Sequence, residues 1–559
     1  MSDNKNINEI NLDKKPNLLY VKDKKTGNTY VYEDRPFWDK EKKYSRSKRK
    51  MIGKLDPNTN EIIPNRKYGD KNPDYVKRNN DRKNTNKKEL ECTQYTVEDF
   101  RGDYKRKEYG TFLVFDSIAK DLNFYEMLSD IFPNNYKEYA SLGLFSILSE
   151  KNGMYMFEHF DKNSMHTCNH NISSQDISML LADINENHLN KLFEKLKSFS
   201  HKDEYLAYDS TSITRYSDKS KLAAYGFNKE HDLEKQINLL FVVGEKSRLP
   251  LYFRIIKGNI ADVVTVRVLV NELNILGYEN ANLVMDRGFV SIENIVGMIN
   301  GGYNFIIGAK FNANYILNNL YKNYDKLIGP ESILDGECEH GTCITIKAKQ
   351  ISNSIENEKQ NIYIYYYIDL VKQAELKHKF HDNLSKLKEK ALNGKLSLTE
   401  KNRFEKFYKE KGSGNNKKYV LNEDVYEKTI MRLGVFAFIS NKKMTPYRAL
   451  EIYRTKDVVE KKFYTYKEDS NGRRLFVNGD KTTLGRCFIS FLGLFLFSEY
   501  QNRVRNSDLL EKYKSYDDII EILKDIHIHI PGNKKPFIGE ITRKQKEILS
   551  KIGVSLPVL

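Results

Sequence analysis

The chain has 559 residues, 40% of them hydrophobic, so it is long enough for several domains and a substantial buried core. Its formal charge of +16 indicates a polyanionic partner, nucleic acid before membrane, although an AT-rich coding sequence would also enrich lysine. The first residues are polar, and the longest apolar run, at 488–497, is too short to span a membrane. We therefore expect neither a signal peptide nor a membrane partner.

Five cysteines, sparse and odd in number, indicate a reducing compartment such as the cytosol. Two groups combine Cys with His, but neither has a strong zinc-binding pattern. The sequence therefore does not predict a zinc centre. The two groups are Cys338-x-His340-x-x-Cys343, which lacks an obvious fourth ligand, and Cys168 with His166 and His170.

Residues 1–99 are predicted to be a basic N-terminal region that contacts DNA. The polar segment 1–16 is predicted to be disordered, a β-hairpin is predicted at 18–32, and a strand is predicted at 51–55. Two basic tracts indicate a DNA-contacting arm or small module, with a solvated linker as the alternative for the second tract. The tracts are 40–50 and 77–88.

Apolar residues at helical spacing predict a mainly helical region at 100–200. At 201–311 short apolar runs alternate with helices, which predicts an α/β fold with a mixed sheet. Asp209 lies on the first of these strands, and Asp286 directly follows the fourth. The predicted strands are 205–213, 236–243, 249–256, 281–285 and 304–309, and the predicted helices are 262–276 and 292–299.

The α/β pattern is interrupted at 312–430, which is predicted to be an insertion domain. It contains two strand-like runs, a charged and mostly helical part, and a Gly-Ser-Gly loop. These elements are predicted at 344–349, 362–368, 370–411 and 412–414.

The second part of the core is predicted at 431–505, and a helical C-terminal tail is predicted at 506–559. A strand is predicted at 433–440 and a buried apolar helix at 484–505. Between them, a helix should start at Thr445 as N-cap with Pro446 as its first residue, and run to about Lys467.

One face of that helix carries a distinctive polar set. Tyr453, Lys456, Glu460 and Lys467 are spaced 3, 4 and 7 apart, so they share one side of the helix. A carboxylate can hold a metal ion, and ammonium and phenol groups can hold phosphate oxygens. A charged helix taken alone is more often a solvated surface, so the interpretation depends on the two aspartates.

Asp209, Asp286 and Glu460 form a possible set of three carboxylates. Sites in open α/β sheets form at strand ends, and a helix packed on such a sheet can bring a third group to the same place. Carboxylates without a Cys or His partner favour hard cations, Mg²⁺ or Mn²⁺, over Zn²⁺. A pair of such ions can clamp the attacking and leaving oxygens of a phosphoryl transfer.

Four motifs, in this order, resemble the DDE transposases of bacterial insertion sequences, in the group with a Tyr-Arg-Glu-Lys (YREK) signature. The runs YLAYDSTSI and NLVMDRGFVS are similar to the strands with the first and second catalytic Asp, and LPLYFRIIKGNIAD is similar to the segment that ends in Gly-Asn-x-x-Asp. The fourth motif, Tyr453-x2-Lys456-x3-Glu460-x6-Lys467, matches the signature with Lys in place of Arg. The N-terminal runs YVYEDRPFWDKEKK and IGKLDP are also similar to one branch of the group.

The resemblance implies an RNase H-like catalytic core with an insertion before the Glu helix, and Mg²⁺-dependent cleavage of DNA strands followed by strand transfer. Two Mg²⁺ ions, or Mn²⁺, would be the cofactors. The partners would be double-stranded DNA, as transposon ends and target, and a second copy of the chain on DNA. The location would be the bacterial cytoplasm, at the nucleoid.

By residue, the resemblance makes Asp209, Asp286 and Glu460 the metal ligands. It gives three further residues contacts with DNA phosphate near the transposon end. Lysine at the arginine position of the signature keeps the charge but loses the bidentate fork, so this contact should be weaker or differently shaped. The three DNA-contacting residues are Tyr453, Lys456 and Lys467.

Two other classes fit the same core. An RNase H-like nuclease or Holliday-junction resolvase would cleave DNA without joining it, and an inactive DNA-binding derivative would do neither. A strand-transfer assay separates these alternatives from a transposase.

Overall fold

The computed structural model describes residues 17–23, 27–39, 44–57, 61–65, 104–149, 153–168, 170–215, 220–226, 234–278, 281–334, 339–357, 359–411, 418–469, 474–475, 479–532 and 535–556. The predictions for 1–16, 77–88, Cys338 and 412–414 lie outside these ranges. The chain divides into two units, Met1–Gly102 and Asp103–Leu559.

The described part of the first unit is a four-stranded antiparallel sheet in the order β1-β2-β3-β4. Val31, Ile52 and Ile62 form its small core. The predicted hairpin and strand are confirmed, and the end of the first basic tract lies on β3 with residues 45–50 exposed. The strands are β1 (Asn17–Lys22), β2 (Thr29–Asp39), β3 (Tyr44–Leu55) and β4 (Ile62–Pro64).

The second unit contains both strands and helices. Its strands are β5 (Lys105–Glu108), β6 (Tyr205–Arg215), β7 (Gln236–Gly244), β8 (Pro250–Lys257), β9 (Asn282–Met285), β10 (Asn304–Gly308), β11 (Glu339–Lys347), β12 (Asn361–Asp369), β13 (Tyr408–Lys411), β14 (Lys418–Leu421), β15 (Val435–Ser440), β16 (Arg474–Leu475), β17 (His527–Ile530) and β18 (Phe537–Ile538).

The α-helices of this unit are α1 (Gly110–Asp121), α2 (Phe124–Ile131), α3 (Tyr136–Leu148), α4 (Phe157–Asn163), α5 (Ser174–Asp183), α6 (Glu186–Leu196), α7 (Asp262–Ile275), α8 (Ile292–Asn300), α9 (Asn314–Lys322), α10 (Tyr324–Ile328), α11 (Leu370–Leu392), α12 (Leu398–Phe407), α13 (Glu423–Arg432), α14 (Pro446–Arg454), α15 (Asp457–Tyr464), α16 (Asp480–Arg505), α17 (Leu509–Lys512), α18 (Tyr516–Lys524) and α19 (Arg543–Lys551), with a π-helical turn at Thr465–Asp469.

A large mixed sheet forms the centre of the second unit, which confirms the predicted α/β class. Among the described residues it has nine strands in the order β11-β12-β15-β10-β9-β6-β7-β8, with β16 beside β6. The three strands β6, β9 and β10 run parallel, whereas β7 and β8 pair antiparallel on one side and β15 and β12 on the other. The predicted order of three strands, helix, strand, helix and strand at 201–311 is confirmed by these elements.

Helix α16 is the main core helix, and it packs against α1, α3 and α5 of the segment 100–200, which contains β5 and α1 to α6. By length and composition α16 could cross a membrane, but 83% of its apolar window is buried inside the protein. Two glycines let it approach α3 closely, because a Cβ at Gly493 would lie 2.5 Å from the carbonyl oxygen of Gly143. The apolar run therefore serves as a packed core helix.

The segment 312–430, predicted as an insertion domain, contributes β11 and β12 to the edge of the central sheet. Its second half, with α11, α12, the β13–β14 hairpin and α13, has its own small aromatic centre. There the Phe380 ring packs edge-on against Phe407, and the Phe404 ring packs against Tyr408 and Tyr419. Strands β11 and β12 therefore belong to the central sheet, α9 and α10 precede them in the same segment, and the charged helical half adds a structure of its own.

The C-terminal segment is not helical throughout, which corrects the prediction for 506–559. Strand β17 lies between β18 and β5 in a three-stranded antiparallel sheet, and its residue Ile528 pairs with Lys107. The sequence His-Ile-His-Ile alternates with period 2, which is the strand period rather than the helical one. The end of the chain thereby pairs with the strand that precedes α1.

The helix predicted from Thr445 to about Lys467 starts as expected but is not continuous. The Thr445 side chain caps α14, and Pro446 is its first residue. The chain then turns between α14 and α15 at Thr455, whose backbone N–H and hydroxyl both donate to the carbonyl oxygen of Ile452. Such back-bonding by a threonine hydroxyl competes with the helical ladder and bends helices.

Glu108 should make the stability of the protein depend on pH. Its carboxylate accepts hydrogen bonds from the Thr111 N–H at 2.8 Å and hydroxyl at 2.7 Å, but burial raises its pKa from 4.5 to about 7. The folded protein then retains a proton that the unfolded chain releases, so this contribution is complete below pH 4.5 and is lost as pH rises to about 7. Relative to wild type, Glu108→Gln should gain at most about 3 kcal/mol at pH 8 and nothing at pH 4.5 in urea unfolding.

The exposed Glu126→Gln on α2 is the control for this prediction. Its urea unfolding should follow the wild-type pH dependence. An equal gain for Glu108→Gln at both pH values would show that the carboxyl is ionised in the fold.

Candidate active site

Two aspartates lie side by side on neighbouring parallel strands at the centre of the sheet. Asp209 is in the middle of β6, and Asp286 directly follows β9. Because Tyr208 is paired with Met285, the two aspartates leave their strands at the same level. Both are half-buried. Pairing of the strands therefore brings together the two carboxylates that the sequence places 77 residues apart.

Tyr453, near the end of α14, holds the second aspartate. Its hydroxyl donates to Asp286 Oδ1 at 2.7 Å, and its ring stacks on Phe438 of β15 with centroids 3.8 Å apart. Burial raises the pKa of Asp286, but the hydrogen bond from Tyr453 and the charges of Lys456 and Arg287 outweigh it and bring the pKa below its usual value. Asp286 is therefore a carboxylate at neutral pH.

Lys456, at the start of α15, connects the third carboxylate to this pair. Its Nζ donates to Glu460 Oε1 at 2.9 Å and lies 5.5 Å from the centre of the Tyr453 ring. Burial lowers the pKa of Lys456, but its bond to Glu460 and the charges of Asp286, Glu460 and Asp209 outweigh burial and raise it. All three predicted carboxylates thus act on one ammonium group.

The three carboxylates are near one another without being packed as ligands. Among the residues that the structure describes, their oxygens do not form a group in which all atoms lie within 4.8 Å of each other. The Glu460 side chain is 56% exposed and turned to Lys456. The sixth predicted site residue, Lys467, lies further along the chain in the π-helical turn. Five of the six residues are therefore linked by direct contacts or by charge.

Gly308 is a part of this site that the sequence analysis did not identify. A Cβ at this last residue of β10 would lie 2.7 Å from the backbone nitrogen of Arg287 and 2.8 Å from the Tyr453 hydroxyl. Because Gly308 has no side chain, the Tyr453 phenol can pass close to β10 and reach Asp286. A glycine that ends an apolar strand is the sequence signal that could have indicated such a close approach.

The resemblance of the motifs to DDE transposases implies cleavage of DNA strands, and Gly308→Ala should reduce this activity about ten- to a hundredfold. The added methyl group must displace either the phenol or the Arg287 backbone. Single-turnover cleavage of end DNA measures this effect. Tyr453→Phe should give a similar loss, and the double variant should lose little more, because both changes act on one hydrogen bond. Wild-type cleavage by Gly308→Ala would show that the contact is not needed.

A cleft of about 410 Å³ lies beside β6 and the turn that follows Asp286. On its wall the Ser210 hydroxyl, next to Asp209, donates to Asp262 Oδ1 at 2.6 Å. Asp262 begins α7 and ends the Gly-Asn-x-x-Asp segment. The bond from Ser210 attaches the segment to the strand that carries Asp209, but on the opposite face of the sheet, because successive side chains of a strand alternate between faces. The polar lining of the cleft includes Ser210, Ser212, Asn238, Asn259, Asp262 and Lys310.

The chemistry of this donor set fits a hard divalent cation. Asp209, Asp286 and Glu460 offer carboxylate oxygens, which Mg²⁺ and Mn²⁺ prefer. Each of the three carboxylates raises the pKa of the Lys456 ammonium. Their combined charge therefore favours a cation at this point. A cation bound by the aspartates and a phosphate held by Lys456 would be compatible with the same arrangement.

Comparison with known proteins identifies the family. Residues 200–496 match the sequence profile described as "Transposase DDE domain". Among solved structures, the chain is similar to a piggyBac transposase in a synaptic complex with hairpin DNA, at 12% identity and a TM-score of 0.37, over 76% of this chain and 82% of that chain. No curated protein sequence matches the chain. The profile match spans more than half of the 559 residues, and the protein therefore belongs to the transposase DDE domain family.

Proposed function

We propose that this DNA transposase cuts DNA strands at the ends of its element and joins the freed ends to target DNA, with Asp209, Asp286 and Glu460 as its catalytic carboxylates. The observation that carries the proposal is the convergence of three carboxylates from β6, the end of β9 and α15 on the Lys456 ammonium. These elements lie within the matched residues 200–496. We propose Mg²⁺, as two ions, or Mn²⁺, for the metal.

Each side chain has a defined part in this mechanism. Asp209 and Asp286 offer neighbouring carboxylates for metal, and Tyr453 fixes the orientation of Asp286 through its 2.7 Å hydrogen bond. Glu460 completes the set once its exposed side chain leaves Lys456. Bound metal would stabilise charge on the attacking and leaving oxygens of the phosphate. Lys456, Tyr453 and Lys467 would then contact DNA phosphate near the transposon end.

The reaction has two phosphoryl transfers. In cleavage, a water oxygen bonds to phosphorus, the bond from phosphorus to the 3′ oxygen breaks, and the 3′ oxygen leaves as a hydroxyl. In strand transfer, that 3′ hydroxyl attacks a phosphate of target DNA and expels a 3′ oxygen there. Electrostatic stabilisation and alignment of the oxygens carry most of the catalysis in such transfers.

The wider architecture is also part of the proposal. Strands β6 to β10 with α7, α8 and the α14–α15 pair would form an RNase H-like core, interrupted by the insertion domain at 312–430. Residues 370–430 carry 15 Lys and Arg against 9 Asp and Glu, and this formal charge of +6 supports a DNA contact by the insertion. The remaining boundaries would be 1–99, 100–200, 201–311, 431–505 and 506–559.

The biological setting is proposed from the same motifs. The YREK signature, with Lys456 in place of Arg, supports assignment to bacterial insertion sequences. The protein would act as a homodimer on paired transposon ends, in the bacterial cytoplasm at the nucleoid. Inverted repeats that bracket the gene, with a short target duplication, would support this assignment.

An assay with duplex DNA carrying the inverted repeats that flank the gene tests the function. With Mg²⁺ and supercoiled target DNA, purified protein should give cut ends and covalently joined products, and chelator should prevent both. Cuts without joined products would identify a nuclease or resolvase. Specific binding without cuts would identify an inactive derivative.

Lys456 should be tested against the arginine of the family signature. Lys456→Met should weaken end binding and reduce the slope of log affinity against log salt by about 1, because one phosphate contact is lost. Lys456→Arg should retain binding and most cleavage, since the charge is kept. If Lys456→Met leaves the salt slope unchanged, Lys456 makes no phosphate contact and only orients Glu460.

A further inference from the structure

A second cluster of ligand-type side chains lies in the helical region, outside the candidate active site. Glu138 of α3, Cys168 and His170 each place a ligand atom within 4.8 Å of the other two. Among the residues that the structure describes, this is the one group of three or more His, Cys, Asp or Glu with that property. The sequence indicated the Cys and the His but not the glutamate, which lies 30 residues earlier.

The spacing of the three atoms matches the edges of a tetrahedral zinc site. Cys168 Sγ lies 3.4 Å from His170 Nε2 and 3.9 Å from Glu138 Oε1, and His170 Nε2 lies 3.4 Å from Glu138 Oε1. Ligands at about 2.0–2.3 Å from a tetrahedral zinc are roughly 3.3–3.6 Å apart. These distances are within a few tenths of an ångström of that spacing. Cys168 Sγ also lies 3.1 Å from His170 Nδ1, so the exposed imidazole must turn to direct one of its nitrogens at the ion.

We propose that Glu138, Cys168 and His170 bind one Zn²⁺ ion, with water in the fourth position. A thiolate, an imidazole and a carboxylate form a set that suits zinc, and they differ in kind from the oxygen ligands that Mg²⁺ requires. The His170 side chain is 64% exposed, so the cluster is open to solvent on this side and the ion has a path of entry. The proposal does not depend on the proposed function of the carboxylates.

Hydrogen bonds to α3 hold Cys168 in position without a bound ion. Cys168 is 3% exposed, and its backbone N–H donates to Ser141 Oγ at 2.8 Å. The Ser141 hydroxyl donates in turn to the carbonyl oxygen of Lys137 on the same helix as Glu138. The segment between α4 and α5 is thereby attached to α3 at the point where the ligands meet.

His166 is not a fourth ligand, although the sequence places it in the same tract. It is buried, its Nε2 lies 2.8 Å from Asp161 Oδ1, and its Nδ1 lies 3.3 Å from Ser141 Oγ. Asp161 also accepts from Lys107 at 3.2 Å. Both ring nitrogens of His166 are therefore engaged, and the two histidines of this tract have different roles.

Metal binding to the full-length chain is the test. After treatment with EDTA and its removal by dialysis, titration with Zn²⁺ against a chromophoric chelator should show one tight equivalent. Zinc should also raise the melting temperature, because it binds the folded chain. Co²⁺ in place of zinc should give the near-ultraviolet absorption of a thiolate–cobalt bond. Millimolar Mg²⁺ should give none of these signals.

Variants identify the ligands. His170→Ala changes an exposed side chain and should weaken zinc binding at least tenfold, and Glu138→Gln should do the same. Cys168→Ser should remove the thiolate–cobalt absorption, with circular dichroism as the check on its fold. His159→Ala and Cys343→Ala are matched controls, an exposed histidine of α4 and a cysteine of β11, and should bind like wild type.

Two results would overturn the proposal. One is the absence of a zinc equivalent in the folded wild-type chain. The other is an equivalent that persists with unchanged affinity in both His170→Ala and Cys168→Ser, which would place the ion on other residues.

Discussion

Asp286→Asn should reduce strand cleavage at transposon ends by more than about a hundredfold. Loss of a residue that only orients a metal ligand already costs about ten- to a hundredfold in activity, and loss of a ligand should cost more. Asparagine keeps the size of the side chain and an oxygen that can accept the Tyr453 hydroxyl, as Asp286 Oδ1 does at 2.7 Å. The substitution removes only the negative charge of the side chain. In the wild-type protein the neighbouring groups keep Asp286 ionised, because they lower its pKa. Binding of end DNA should remain within a few-fold of wild type in a gel-shift titration.

The other two carboxylates extend this prediction. Asp209→Asn and Glu460→Gln should cause comparable losses of cleavage, and the exposure of Glu460 makes an effect on folding small. Asp457→Asn is the matched control, because this exposed residue lies on the same helix, α15. Cleavage within tenfold of wild type by any of the three variants would exclude that residue from the catalytic set. A parallel loss of end binding would assign the residue to DNA contact.

The strands that carry the aspartates could be predicted from the sequence because their signal is local. Runs such as Asn282–Met285 are short, apolar and bounded by turn residues, and they form buried strands. Two aspartates at such positions on parallel strands must come close if the strands are neighbours. The α/β pattern predicted the two strands, whereas their adjacency, with β7 and β8 between them in the chain, and their register are given by the structure.

The contacts that organise the site could not be predicted, because they join distant parts of the chain. The bond from Tyr453 to Asp286 spans 167 residues, and it depends on a missing side chain at Gly308 of a third element. The break at Thr455 was missed because threonine is compatible with a helix until its hydroxyl bonds to a carbonyl. The sequence did not indicate Glu138 as a ligand either, because only the packing of the folded chain brings it to Cys168.

Gly485→Ala should destabilise the protein by about 1–3 kcal/mol, although alanine is the better helix former by about 1 kcal/mol. Gly485 lies on α16 where this helix crosses α5, and a Cβ would lie 2.6 Å from Leu181 Cα and 2.7 Å from its carbonyl carbon. These are backbone atoms, so no rotamer change relieves the overlap, and the two helices must move apart. Urea unfolding followed by circular dichroism measures the free-energy difference.

Gly297→Ala provides the matched control, since this glycine lies on α8 and a Cβ there would meet nothing within 4 Å. It should be neutral or stabilise the fold by about 0.4–1 kcal/mol, through the lower entropy of the unfolded chain. The difference between the two variants isolates the steric cost of the α16–α5 crossing, because helix propensity and unfolded-state entropy change equally in both. Equal stabilities for the two variants would mean that α16 can shift on α5 at little cost. A loss confined to Gly485→Ala would show that the distance between α16 and α5 is fixed by their backbone contact at Leu181.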